Sequence, residues 1–411
     1  MPVTNRTSEC KPLVELPEYA PSETSRVVVI CKNPIAGRRP AAKPAEKLSE
    51  CLAHFKLVPR EFGNLKEATD FASECVGRGE LRAVVGIGGD GTASAIVNNT
   101  PPGTPLAIFP AGTANLLARQ FHYPRKPSAF AAMLARGRCA RIDAGKVDDR
   151  LFLNMLSCGL DAVVTRRVHE LRHSNPSKGH INYRTYLRPL VEALKTYSFP
   201  PVRIAFCPDC QEDNSGQSNR LACGEKSPRI QPEKGISNGL GPYCRGTQEI
   251  ETSRKAPAEN PPSAGSSCAD QIPPDDHGGN PNSEFSASSH GLVHDTAACR
   301  ELVEVSVRWG FIFNLKKYAW GLPLAPTAVV DDGWFEFCGF QKSSIWSALN
   351  YVLTAQLGGI HRFLPSCVYL RARWFRLSAE EPVEYQVDGD PGGFLPVEVE
   401  VVPRRVTLIV P

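Results

Sequence analysis

Residues Leu81–Ala118 read LRAVVGIGGDGTASAIVNNTPPGTPLAIFPAGTANLLA and hold two strand–turn–helix units in quick succession. Leu81, Ala83, Val84, Val85 and Ile87 form an apolar run ending in Gly88-Gly89-Asp90-Gly91-Thr92. Leu106, Ala107, Ile108 and Phe109 form a second, ending in Pro110-Ala111-Gly112-Thr113. Unbroken apolar runs of this length, each followed by helix-forming residues, suit strands buried on both faces of a parallel sheet. Both turns then fall at the carboxyl edge of one sheet, where open α/β folds take their ligands.

The residue types set the chemistry of the first turn. Gly88, Gly89 and Gly91 let backbone approach a ligand with no Cβ in the way. Thr92 is placed to cap the following helix, whose first N–H groups and positive dipole end favour a phosphate. Asp90 is the odd member, because a carboxylate repels phosphate unless a cation or a reacting proton accounts for it. It points to Mg²⁺ coordination, direct or through water, or to proton handling at the attacked phosphate. Gly86, Gly88 and Gly91 also spell G-x-G-x-x-G, but the strand Leu106–Phe109 is not followed by the acid a dinucleotide site needs. No G-K-[ST] follows the glycines, so a Walker loop is absent.

The pair GGDGT (Gly88–Thr92) and PAGTANLLAR (Pro110–Arg119) resembles the diacylglycerol kinase catalytic domain family, which includes bacterial lipid kinases, diacylglycerol kinases and sphingosine kinases. GGDG alone is shared with NAD kinases and phosphofructokinases. The second motif, with Asn115 three residues after Gly112 and Ala118-Arg119 closing it, separates the lipid kinases from those. The resemblance implies a doubly wound ATP-binding domain followed by a mostly antiparallel β-sandwich, with the site between them.

Upstream, residues 1–25 are polar and proline-bearing and read as a loose tail. Arg26–Cys31 is a first strand running into Lys32–Arg39, where Asn33, Pro34 and Gly37 match a family turn that contacts nucleotide phosphate; an ordinary strand-ending turn is the other reading. Ala45–Phe55 and Lys66–Val76 read as helices, the first with Leu48, Leu52 and Phe55 on one face. Together these give a βαβαβαβ unit over 26–140. After the helix Pro127–Arg136 the pattern changes near Arg141 to alternating strands, so a second, β-rich domain is expected over 141–206 and 300–411.

In that second part, Asn154–Ala162 is similar to a family segment ending in Gly-x-Asp-Ala. Asp161 either faces the lipid headgroup or caps a helix over Ala162–Leu171. Arg166–Arg188 carries Arg166, Arg167, Arg172, Lys178, Arg184 and Arg188 with Tyr183 and Tyr186, a set that suits either anionic lipid or a solvated helical face. Residues 207–299 are rich in Ser, Pro, Gly, Asn and Asp and read as a disordered insertion; Cys207 and Cys210 in it amount to half a zinc motif at most.

Glu301–Leu315 reads as a strand pair. The segment Leu322–Trp334 is similar to a family Pro-x-Ala…Asp-Asp-Gly segment that binds a structural Mg²⁺. Carried over by position, the ligands are Asp332 and the carbonyls of Val329 and Trp334, whereas a plain Asp-Gly hairpin is the alternative. Lys316–Trp320 departs from the glycines the family often has here. Ser344–Gly358 reads as a helix with Ile345, Leu349, Val352 and Leu353 as its core stripe. Val383–Pro391 leads into Asp388-Gly389-Asp390, where the family has Asp-Gly-Glu with the Glu as proposed general base. Asp390 is therefore the candidate base, one methylene shorter, with an Asp-Gly turn as the other reading. Val397–Val410 should end the chain as strands, the last packing back on the first domain.

Composition narrows the function. The 411 residues carry a net charge of +4 and 42% hydrophobic content. That supports a real core and argues against a nucleic-acid partner. No run of eighteen apolar residues and no N-terminal apolar region marks a membrane span or signal peptide. The fourteen cysteines read as free thiols of a cytoplasmic protein. The expected activity is transfer of the ATP γ-phosphate, with Mg²⁺, to a lipid hydroxyl such as that of diacylglycerol or a sphingoid base. The expected partners are the lipid at a peripheral membrane surface and a second copy in a homodimer. A small-molecule kinase resembling NAD kinase and a binding protein without turnover are the alternatives.

Overall fold

The computed structural model describes residues 21–22, 24–32, 42–174, 183–207 and 302–411. The turn Asn33–Gly37, most of the N-terminal tail, Lys178 and the stretch 208–301 lie outside the described residues. So does any reading made of them, the disordered insertion and Cys210 included.

Strand β1 (Val27–Lys32), helix α1 (Ala42–His54), β2 (Val58–Phe62), α2 (Leu65–Gly77), β3 (Leu81–Gly88), α3 (Asp90–Asn98) and β4 (Pro105–Pro110) alternate as expected. The strands pair in the order β2-β1-β3-β4, all parallel. Every residue of β3 is buried, which accounts for its apolar character; the one charged residue, Arg82, donates its guanidinium to the carbonyls of Leu134 and Ala135. Leu48 and Leu52 of α1 are buried, whereas Phe55 lies past the helix end and is exposed. Asn64 starts α2 by accepting the N–H of Lys66 and Glu67. After β4 come α4 (Leu116–Gln120) and α5 (Pro127–Arg136).

The chain then builds β5 (Cys139–Val147), β6 (Arg150–Phe152), β7 (Met155–Cys158), α6 (Leu160–Ser174), α7 (Leu187–Thr196) and β8 (Val202–Phe206). Beyond residue 301 follow β9 (Val303–Val307), β10 (Trp309–Phe313), β11 (Phe335–Phe340), α8 (Ile345–Gln356), β12 (Cys367–Ala372), β13 (Trp374–Ala379), β14 (Glu384–Val387), β15 (Asp390–Phe394) and β16 (Val397–Ile409). The last strand does pack back on the first region: Thr407 and Leu408 pair in parallel with Pro105 and Leu106 of β4. On its other stretch β16 pairs antiparallel with β13, so one ten-stranded sheet runs from the parallel strands into the antiparallel ones. A six-stranded sheet, β12-β11-β10-β7-β14-β15, packs across it around Phe152, Leu156, Ile312, Phe335, Phe337, Phe375 and Val399. This is the antiparallel sandwich.

Two expectations fail here. β9 and β10 are adjacent in sequence but belong to different sheets, β9 beside β8 and β10 between β7 and β11. The expected core stripe of α8 faces outward, and the helix instead buries Tyr351 and Ala355 with Ala348 beside them. The helix is apolar on both sides, so periodicity could not tell which side the sheet would take.

Asn314, just past β10, ties this frame together between β5 and the end of β6. Its fully buried amide donates to the carbonyls of Asp143 (2.8 Å) and Leu153 (2.9 Å), and its backbone N–H to Asn154 (2.9 Å). Asn314→Ala strips two buried carbonyls of their donor. Denaturant unfolding should show a loss of about 2–4 kcal/mol; a change below about 0.5 kcal/mol would remove Asn314 from the frame.

Candidate functional site

The two glycine turns interlock backbone to backbone. The carbonyl of Gly88 accepts the N–H of Ala111 (2.8 Å) and Gly112 (3.1 Å). A Cβ on Gly112 would lie 2.5 Å from the Cα of Gly89, and one on Gly88 would lie 2.1 Å from the hydroxyl oxygen of Thr92. Glycine is needed at both by close approach. A Cβ on Gly91 would meet open space, so packing does not explain that glycine.

Asn115 closes the second turn in a left-handed conformation (φ 49°) that Asn tolerates. Its side chain accepts the N–H of Gly112 (2.9 Å) and donates back to the same residue's carbonyl (2.7 Å). Thr113 stands exposed beside it. Asp90 then ties the first turn to the second. One carboxylate oxygen accepts the N–H of Leu116 and the other that of Leu117, each at 3.0 Å, so Asp90 satisfies the first donors of α4 from outside that helix. Burial pushes its carboxyl above the ordinary range, and these two donors oppose the push. Thr92 does not cap α3: Gly89 does, with no side-chain bond, and Thr92 packs over Gly88.

A third strand end supplies an acid that the motif reading passed over. Asp388 (φ 52°) and Gly389 (φ 91°) form the two-residue loop of the β14–β15 hairpin, the Asp-Gly turn that was the alternative reading. The Asp388 carboxylate accepts the N–H of Leu153 (2.8 Å), Asn154 (2.8 Å) and Met155 (3.1 Å). It is close enough to Asp90 for that charge to help raise its pKa, though burial is the larger cause; together they bring it to about 6. Asn98, at the far end of α3, pairs both ways with the backbone of Leu151 (2.8 and 2.9 Å), holding α3 against the loop that Asp388 grips. The signal that could have found Asp388 was its own Asp-Gly dipeptide. Asp-Gly between alternating apolar residues is a strong signal of a two-residue hairpin loop, with positive φ at both positions.

Asp390, the candidate base, opens β15 with its side chain 43% exposed and paired to Arg150 at 3.0 Å. Asp161 sits in the first turn of α6, which begins at Leu160, two residues before the expected start. Its carboxylate accepts from Ser157, Tyr318 and Gln386, the last at 3.1 Å, so it neither caps the helix nor points free. Burial raises both this carboxyl and the Tyr318 hydroxyl. Gln386 joins this group to the hairpin, because its amide oxygen accepts the N–H of Gly389 at 2.7 Å. Tyr318, part of the segment that departs from the family, thus takes a defined place in the network.

The expected metal set does not fit a divalent ion as arranged. One oxygen of Asp332 is bound by the Arg371 guanidinium and the other accepts the N–H of Trp334 at 3.0 Å. Val330, next to the exposed Val329, gives its carbonyl to Asp143. No cluster of three or more His, Cys, Asp or Glu ligands forms among the described residues.

Two outcomes follow. Gly112→Ala forces backbone apart and should lower stability by about 1–3 kcal/mol, while Gly91→Ala should leave the melting temperature within about 2 °C. Asp388 holds a proton in the folded state between about pH 4 and pH 6 that the unfolded chain has released, so its contribution to stability falls as pH rises through that window. The stability of wild type minus that of Asp388→Asn should therefore drop by about 2–3 kcal/mol from pH 4 to pH 6.5. A difference that instead grows with pH would show the three N–H donors outweighing burial.

Comparison with known proteins agrees with this geometry. Residues 26–147 match the diacylglycerol kinase catalytic domain, and residues 299–410 match the YegS C-terminal NAD kinase beta sandwich-like domain. A diacylglycerol kinase of Mycobacterium tuberculosis is 30% identical over 182 residues, 42% of this chain and 57% of that protein. The chain thus spans little more than half the length of that relative. A diacylglycerol kinase of Staphylococcus aureus is 20% identical over 84% of this chain and 82% of its own. The crystal structure of a diacylglycerol kinase from Bacillus anthracis superposes with a TM-score of 0.54 at 17% identity, covering 94% of this chain and 97% of that one, a likeness of fold. With both halves matched and the two signature turns interlocked, the chain belongs to the diacylglycerol kinase catalytic domain family.

Proposed function

We propose that this protein transfers a phosphoryl group from ATP to the hydroxyl of a lipid such as diacylglycerol or a sphingoid base. The observation that carries the reading is the meeting of three strand ends: the Gly88–Thr92 turn, the Pro110–Asn115 turn and the Asp388 hairpin, with two acids between them. Phosphoryl transfer asks a protein chiefly to position groups and neutralise charge. The N-terminal N–H groups of α3 and the open backbone at Gly91 suit phosphate oxygens. Asp90 and Asp388, both raised by burial, suit the Mg²⁺ that would accompany a nucleotide, since the cation's charge would favour their ionised forms. Asn33, Pro34 and Gly37 would complete the phosphate contacts, and Asp161 with its Tyr318 and Gln386 partners would meet the acceptor lipid.

Asp390 is the proposed base. Its ion pair with Arg150 also favours a second reading, a nucleotide- and lipid-binding protein without turnover, since the carboxylate is already engaged by a guanidinium. At the membrane surface the protein would act peripherally, as no helix among the described residues is long and apolar enough to cross a membrane.

Incubation with labelled ATP and a total lipid extract, followed by identification of the product, tests the reading. A labelled lipid is expected from wild type. Asp90→Asn should lower its formation at least about a hundredfold while remaining folded, and Gly91→Ala about tenfold or more. Undiminished activity in Asp90→Asn would remove that residue from the chemistry. ATP binding without a labelled product would favour the binding protein.

A further inference from the structure

The outward side of α8 is unlike the rest of the surface. Ile345, Trp346, Leu349, Leu353 and Leu357 are between 52% and 77% exposed, and Phe363, just beyond, is 73% exposed. Single exposed apolar side chains are ordinary, but a contiguous set on one helix face is not. The helix cannot roll to hide them. Tyr351 packs on Phe340 (ring centroids 4.3 Å) and donates its hydroxyl to Ser366 (2.7 Å), which fixes the inward face. α8 itself carries no charge, and no Asp or Glu occurs between Gln341 and Ala379. The charges that flank the patch are basic: Lys342 is exposed before the helix, and Arg362 stacks over the Phe363 ring at 4.7 Å. Aromatic and leucine side chains rimmed by cations, on a segment without an acid, suit an anionic bilayer surface.

We infer that this face docks the protein on anionic membrane lipid, with Trp346, Leu349, Leu353 and Phe363 entering the interface and Lys342 and Arg362 meeting headgroups. The identity of the partner rests on the lipid-kinase reading. α8 packs on the same core as α6, the helix that carries Asp161, so docking here would bring the acceptor side of the site to the membrane.

Sedimentation of the full chain with vesicles tests this without nucleotide. Wild type should pellet with phosphatidylserine–phosphatidylcholine vesicles, and at least about fivefold less with phosphatidylcholine alone. Leu349→Glu/Leu353→Glu should weaken partitioning at least about tenfold with unchanged thermal unfolding, since both side chains are exposed. Lys342→Glu should weaken only the anionic arm. Wild type left in the supernatant would overturn the proposal, with the chain's own residues 208–301 as one candidate cover. So would a double variant that pellets like wild type, or a wild-type dimer in gel filtration that the double variant splits, which would make a second copy the occupant. A chain that binds vesicles but phosphorylates no lipid would sink the kinase reading alone.

Discussion

The approach of two backbones governs this molecule. Gly89 and Gly112 pass so close that a Cβ on Gly112 would strike the Gly89 backbone at 2.5 Å and one on Gly89 would crowd Gly112 at 3.1 Å, and the Gly88 carbonyl is shared by two N–H groups of the facing turn. Asp90 completes the lock by serving as the N-terminal acceptor for a helix that belongs to the other turn. The two signature motifs are thus one mechanical object. Its open side leaves the space beside the Gly91 Cα without a steric neighbour. A residue that holds the turn together and also borders the site has its position set by structure before any ligand arrives, which is what preorganisation requires.

From that lock a chain of hydrogen bonds runs into the antiparallel half. Asp388 lies within electrostatic reach of Asp90 and grips three successive N–H groups from the end of β6 to the start of β7, while Gly389 leans on Gln386, which holds Asp161 and through it Tyr318. Gln386 is buried and Asp90, Asp161, Tyr318 and Asp388 are half-buried, and burial pushes each carboxyl among them toward its neutral form. β16 links the halves through the sheet itself, pairing with β4 at one end and β13 at the other. The groups proposed to meet nucleotide and acceptor therefore sit on one continuous frame.

Much of this was legible in the residues. Apolar runs ending in glycine turns identified the parallel strands, because burial on both faces leaves Arg82 as the one polar residue of β3. The return of the last strand to the first region was also readable. What failed did so for physical reasons. α8 is apolar on both sides, and only the sheet decides that Tyr351 and Ala355 go inward. Thr92 looked like a cap, but the space above Gly88 claims it. Asp332 looked like a cation ligand, but Arg371 lies across the strand pair at Glu336 and reaches it first, a relation invisible along the chain. Asp388 was overlooked beside Asp390 because the motif draws attention to its last residue, whereas the hairpin loop turns the first one inward.

The central claim is that the interlocked turns hold the phosphates of a nucleotide. Calorimetric titration of magnesium–ATP into the full chain addresses it most directly. Saturable binding of one nucleotide with a Kd below about a millimolar, weakened at least about tenfold by Gly91→Ala, is the expected result. No binding at several millimolar, or binding indifferent to Gly91, would contradict the account.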